Sequence, residues 1–196
     1  KGKAFTVTPD NITQITETKG IETASPVLEE TVFIKYGNRE SIASIRGIGE
    51  EYISHSHITE NIVEGEAKTS MGEVQYALLG QQLARTLGLR VRFLTPLEMY
   101  FPKKEGNISI TNPMESLNTA TFYPSAVLRM DGEDAGNILY AGIVSVQELT
   151  GSKENEYTSL EVYINKGISP AETKNICSEL QKIFPQCQVK GREEQN

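Results

Sequence analysis

The 196-residue sequence predicts an α+β fold in which one α/β subdomain is interrupted by an inserted β-rich one. Three observations carry that expectation. The N-terminal part reads strand, helix, strand, strand. The C-terminal part returns to strand-then-helix order with a strongly marked helix start. The stretch between them is dominated by β-forming runs and turn residues, with one short helix. The division assigns residues 1–50 and 143–196 to the α/β unit and 51–142 to the β-rich unit.

Each element follows from local chemistry. Lys3 to Thr8 alternates as a strand does, and Thr8-Pro9-Asp10 then supplies an N-cap, a proline at the first helical position and an early negative charge. Ile12 and Ile15 share one face of that helix, and Gly20 can take the left-handed conformation that ends it. Val27 to Tyr36 and Ser41 to Ile48 are β-rich around the turn signal Gly37-Asn38, which makes a hairpin. Residues 50–72 are polar and aperiodic and mark the crossing into the inserted unit.

Val74 to Leu79 is a strand, and a short helix from Gln81 to Leu87 turns Leu83, Ala84 and Leu87 inward before Gly88 stops it. Val91 to Phe101 is extended, 102–118 has the prolines, lysines and Gly106-Asn107 of a projecting hairpin, and Thr119 to Met130 is strand-like ahead of a turn at Asp131-Gly132-Glu133-Asp134. Ile143 opens a short element, with Ser145 capping a brief helix to Leu149 and Gly151 ending it. Tyr157 to Ile164 alternates as a half-buried strand. Ser169-Pro170-Ala171-Glu172 is a capping box, and Ile176, Leu180, Ile183 and Phe184 form the stripe of the helix that Pro185 stops. Gln188 to Lys190 has the composition of a final strand.

The formal net charge is −7, and Lys and Arg are scattered without a basic run, which argues against a nucleic-acid surface. No stretch approaches the roughly 18 apolar residues of a membrane span, and no apolar signal core follows the first residues. The chain starts at Lys1-Gly2-Lys3 without an initiator Met, so the expectation is a piece of a larger protein. Cys177 and Cys187 fit no metal or redox spacing; either they close a small disulfide loop, or they stay unpaired, one on a helix face and one in a strand.

No catalytic constellation emerges, and no cofactor or metal is expected. His55 and His57 could begin a zinc site, but no further His or Cys completes it, and solvated loop histidines are the plainer reading. Gly47-Ile48-Gly49 lacks the third glycine and the basic residue of a nucleotide loop. Glu29-Glu30, Glu50-Glu51 and Glu193-Glu194 are adjacent pairs that point apart in extended chain, as a solvated surface requires. The sequons Asn11-Ile12-Thr13 and Asn107-Ile108-Ser109 carry no functional weight. Leu97, Met99, Tyr100 and Phe101, with Pro113, Met114 and Leu117 beyond the excursion, either pack the base of a hairpin or form a docking patch.

The block Leu79-Gly80-Gln81-Gln82-Leu83-Ala84-Arg85-Thr86-Leu87-Gly88 after a strand resembles one that recurs in extracytoplasmic domains of bacterial ABC-transporter permeases of the MacB, LolC/LolE and FtsX kind. Gly20 to Leu28, Ser44 to Ile48 and Val91 to Pro96 resemble further blocks in the same order, and Gly191 to Asn196 is similar to the segment that leads into the second membrane helix. The resemblance covers about residue 3 to the end. It implies a discontinuous "porter" subdomain with a β-rich "sabre" inserted, and a periplasmic domain of an inner-membrane protein. It also implies a partner ATPase, a second permease half and a periplasmic carrier docking near Met99, Tyr100 and Phe101. Where relatives often carry Gly-Asp after the block, this chain has Arg90-Val91-Arg92.

Overall fold

The computed structural model describes residues 4–92, 95–104, 113–130 and 136–191. The chain enters through a short strand, β1 (Phe5–Thr6), and helix α1 (Pro9–Thr16). Thr8 caps that helix reciprocally with Asn11. Its hydroxyl accepts the Asn11 N–H at 3.2 Å, and the Asn11 Oδ1 accepts the Thr8 N–H at 3.0 Å. β2 (Ile21–Tyr36) is 16 residues long, about three times the commonest strand length. It therefore begins six residues earlier than the alternation from Val27 indicates. β3 (Arg39–Ile48) folds back on its second half, pairing Tyr36 with Arg39 through Leu28 with Gly47.

The aperiodic stretch contains α2 (Glu50–His55), a 3₁₀ turn at Thr59–Asn61, β4 (Ile62–Gly65) and β5 (Ser70–Met71). Gly65 holds φ at +84°, and a Cβ there would run into the Ser125 carbonyl, so the close pairing of β4 with its neighbour depends on glycine. Next come β6 (Val74–Gly80), α3 (Gln81–Leu87) and β7 (Leu97–Pro102), so among the described residues the Val91 to Phe101 run is strand from Leu97 on. β8 (Leu117–Leu128) follows a 3₁₀ turn at Pro113–Ser116. β9 (Ile138–Gly142) leads directly into α4 (Ile143–Thr150), whose N-cap is Gly142 rather than Ser145. β10 (Glu156–Tyr157), β11 (Ser159–Ile164) and α5 (Pro170–Ile183) complete the fold. The Asp131–Asp134 turn lies outside the described residues. Gln188 to Lys190 forms no strand; the segment is held instead by the Gln181 side chain and by packing of Val189.

The strand pairings return on themselves. β2 pairs with β3, β3 with β9, β9 with β6, β6 with β8, β8 with β7, and β7 with β2 again. β8 manages this by meeting β7 along Leu117–Phe122 and β6 from Tyr123 onward. Inside lies the main core, with Val32, Ile34, Ile45, Leu79, Leu97, Met99, Phe122 and Leu139, sealed by Leu83 and Leu87 of α3 and Val146 and Leu149 of α4. A second cluster on the other side of the sheet places Val27, Ile48, Leu78 and Tyr140 under Tyr52 and Ile53 of α2.

A third core is separate. Val7, Ile15, Ile21, Ala24, Ile176, Leu180 and Phe184 pack α1 and α5 on the first half of β2 and on β11. Phe5 meets Phe184 edge-on, with centroids 5.8 Å apart. Residues from both terminal segments pack in this cluster. β3 and α4 pack with the middle of the chain, because β3 supplies the pairing edge for β9 and its Gly47 lets α4 approach closely: a Cβ there would lie 3.0 Å from that of Val146. Among the described residues no helix is long and apolar enough to cross a membrane.

Candidate functional site: the shared strand and the open face beside it

Among the described residues, β2 is the one strand that contributes to all three cores. Its first half pairs with β11, from Ile21 against Ile164 to Val27 against Ser159; the second half pairs with β3 and β7. The ladder changes partner at residues 25–29. There Thr158, between β10 and β11, does what a strand residue otherwise would. Its N–H and its hydroxyl both donate to the Val27 carbonyl, at 2.9 and 3.1 Å, and the same hydroxyl oxygen accepts the Glu29 N–H at 2.7 Å. Pro26 has no N–H to offer, and the fully buried Ser25 hydroxyl has no hydrogen-bond partner among the described residues. The handover is continuous in backbone, with Val27 paired to β11, Leu28 paired to β3, and Thr158 bridging the change of partner.

Beyond it the polar residues of β2 and β3 interlock. Arg46 donates through Nε to Glu29 Oε2 at 2.7 Å, and the Ser44 hydroxyl donates to Glu29 Oε1 at 3.0 Å. Burial alone pushes the Glu29 carboxyl up, but the Arg46 hydrogen bond and charge and the Ser44 bond outweigh it and hold the carboxyl below its ordinary value. Glu29 is therefore a structural ion-pair partner rather than a solvated surface carboxylate, which corrects the reading of the Glu29-Glu30 pair.

The outward face continues past this ion pair into open apolar surface. Phe33 pairs with Ile42 on β3 and with Tyr100 on β7, so the three form one row across three strands. Phe33 is 40% and Ile42 64% exposed, and the Phe33 and Tyr100 rings lie 5.9 Å apart. The Tyr100 hydroxyl donates to Glu98 at 2.9 Å, a bond that pushes its phenol up.

This divides the expected patch. Successive side chains on a strand face opposite ways. Met99 is fully buried and Phe101 packs against the same core, while Tyr100 alone faces out. Met99 therefore cannot touch a partner. Phe33 and Ile42 are the residues that share the outer face with Tyr100, and the alternation Leu97, Met99, Phe101 was the signal that could have found this. The side chains of Pro113 and Met114 lie outside the described residues.

The remaining candidates do not assemble a reactive centre. His55 ends α2, with Nδ1 2.9 Å from the Glu51 carbonyl and its ring 5.2 Å from that of Tyr163. His57 pairs with Glu60 at 2.9 Å. Among the described residues no group of three or more His, Cys, Asp or Glu side chains converges as a metal site. Cys177 on α5 and Cys187 after it are unbonded, half-buried thiols, and burial pushes Cys187 up. Cys187 is not in a strand; its carbonyl accepts from the Gln181 amide at 2.8 Å. Asn107-Ile108-Ser109 and Glu193-Glu194 lie outside the described residues.

No protein-family model matches the sequence, and no curated protein matches it either. The fold has clear counterparts. The extracellular domain of the noncanonic ABC-type transporter YknZ from Gram-positive bacteria superposes with a TM-score of 0.64 at 12% identity, over 95% of this chain and 87% of that one. The periplasmic region of MacB from Actinobacillus actinomycetemcomitans gives 0.60 at 15% identity, over 89% and 72%. A domain of a putative permease protein from Porphyromonas gingivalis gives 0.53 at 14%, over 90% and 73%. The chain has the fold of these extracytoplasmic transporter domains.

Proposed function

We propose that this chain is the extracytoplasmic domain of an ABC-transporter permease, without catalysis of its own, and that it passes movement driven by cytoplasmic ATP hydrolysis to cargo or to a partner outside the membrane. The observation that carries the reading is the 16-residue β2, which is built into the terminal core at one end and into the main core at the other. A displacement applied to α1, α5 and β11 reaches the main core through covalent backbone rather than through a soft interface. The fold likeness to domains of ABC-type transporters supports it, as do the ordered sequence blocks from Gly20 to Pro96.

In this reading membrane helices flank the chain in the parent protein, a separate ATPase and a second permease half complete the transporter, and the domain sits on the periplasmic or extracellular side. The outward row of Phe33, Ile42 and Tyr100 receives the carrier, in place of the Met99–Tyr100–Phe101 patch. That choice favours a releasing or handing-over transporter over a purely mechanical signaller. The test is co-purification of the full-length protein with its ATPase, followed by cargo release from cells carrying Phe33→Ser, Ile42→Ser and Tyr100→Ser together. The expected result is an intact ATPase complex with release reduced by about tenfold. No ATPase in the complex overturns the transporter reading. Unchanged release removes the docking row alone.

A further inference from the structure

We infer that the groove between β4 and α3 is a binding site for an acidic, extended peptide segment. The groove encloses about 430 Å³, within the range of ligand sites. Its floor is apolar, made by Ala84, Leu89 and Val127, each at most 5% exposed. Val63 forms an exposed apolar wall. Two guanidinium groups, Arg85 and Arg90, stand at its rim. The charge already present in the groove is largely committed: Glu64 accepts the Val91 N–H at 3.1 Å and lies 3.8 Å from Arg90. Arg85, on the exposed side of α3, has no hydrogen-bond or ion-pair partner among the described residues.

Uncommitted guanidinium at an apolar floor calls for a carboxylate-bearing ligand, because the planar fork matches a carboxylate bidentately. The rest of the surface reinforces the choice. In a chain of net charge −7 a cationic rim is a local exception that favours an acidic segment. The extended form follows from the shape. The site is an open trough rather than a closed cavity, and its strand wall, β4, pairs with β8 alone among the described residues.

The inference does not depend on the transporter reading, and its experiment is separate. A fluorescein-labelled peptide of alternating Glu and Val is titrated with the chain and followed by anisotropy at about 50 mM and about 300 mM salt. A peptide of alternating Gln and Val serves as control. The Glu-Val peptide is expected to bind at least about tenfold more tightly than the control and to weaken at the higher salt. R85E with R90E is expected to abolish that advantage while circular dichroism shows the fold intact, and R85E alone, which leaves the Glu64 contact in place, to remove most of it. Equal binding of the two peptides, or an R85E chain that binds as the parent does, overturns the site. Displacement of the peptide by inorganic phosphate at equal concentration overturns it too, since the groove would then be a small-anion site.

Discussion

At the scale of the residue, Glu29 and Arg46 show how a polar pair sits in a sheet whose neighbours are apolar. The pair stands between the covered end of the outer face, under α2, and its open end at Phe33. Both side chains are about two-thirds or more covered, and both Glu29 oxygens are engaged. Because the folded carboxyl lies below its ordinary value of 4.5, its contribution is present above that pH and is lost as the pH falls through the folded value. Glu29→Gln is therefore expected to cost about 1 kcal/mol at neutral pH, a figure kept small by solvent screening. The difference from the parent should close only in acid, once the pH has fallen through that lowered folded value and the parent carboxyl is itself protonated. Chemical denaturation across that range checks it; a cost that is the same at both ends rules out the ion pair as its source.

At the scale of the element, what the sequence made legible depended on whether the cause was local. Thr8 and Ser169 announced their helices because a capping box is complete within four residues. Gln81–Leu87 was bounded correctly because Gly88 takes φ +62° at its end. β9 escaped because Ile138, Leu139, Tyr140 and Ala141 are all buried. Leu139 and Ala141 belong to the main core and Ile138 and Tyr140 to the cluster behind it, so no polar residue marks the alternation. α2 escaped for the opposite reason: six residues with no buried side chain have too little periodicity to read, and only Tyr52 and Ile53 covering the sheet fix it.

The exposed row was invisible for a third reason. Phe33, Ile42 and Tyr100 are far apart in sequence and meet only through register. Thr158 belongs to the same class, since nothing near it in sequence says that it bridges Val27 and Glu29. Thr158→Val keeps its shape but leaves the Glu29 N–H without an acceptor, and it is expected to destabilise the chain by about 1–2 kcal/mol. The exposed Thr121→Val on β8 should change stability by less than about 0.5 kcal/mol. The urea midpoints of the two variants decide the matter, and equal midpoints would mean that Thr158 is not a clamp.

At the scale of the whole molecule, the question is whether two cores that share β2 and the Tyr157 side chain behave as one body. The terminal core has few fully buried side chains, whereas the main core is closed by a ring of pairings and plugged by two helices. Between them lies the handover at residues 25–29, where Pro26 lacks a donor and Ser25 lacks a partner among the described residues. Such a connection transmits displacement along the strand but does little to couple the unfolding of one core to the other. Leu180→Ala, which empties a site in the terminal core, is expected to cost about 2–3 kcal/mol. That loss should appear in amide hydrogen exchange as faster exchange in α1, α5, β11 and the Ile21–Val27 half of β2. The Leu28–Tyr36 half should keep its protection, along with β3, β6 and β8, although it is the same strand. A boundary of protection falling inside β2 would identify residues 25–29 as the point about which the terminal unit moves. If protection instead falls evenly over both halves of β2 and over the ring, the two cores form one rigid body, and residues 25–29 are not a pivot between them.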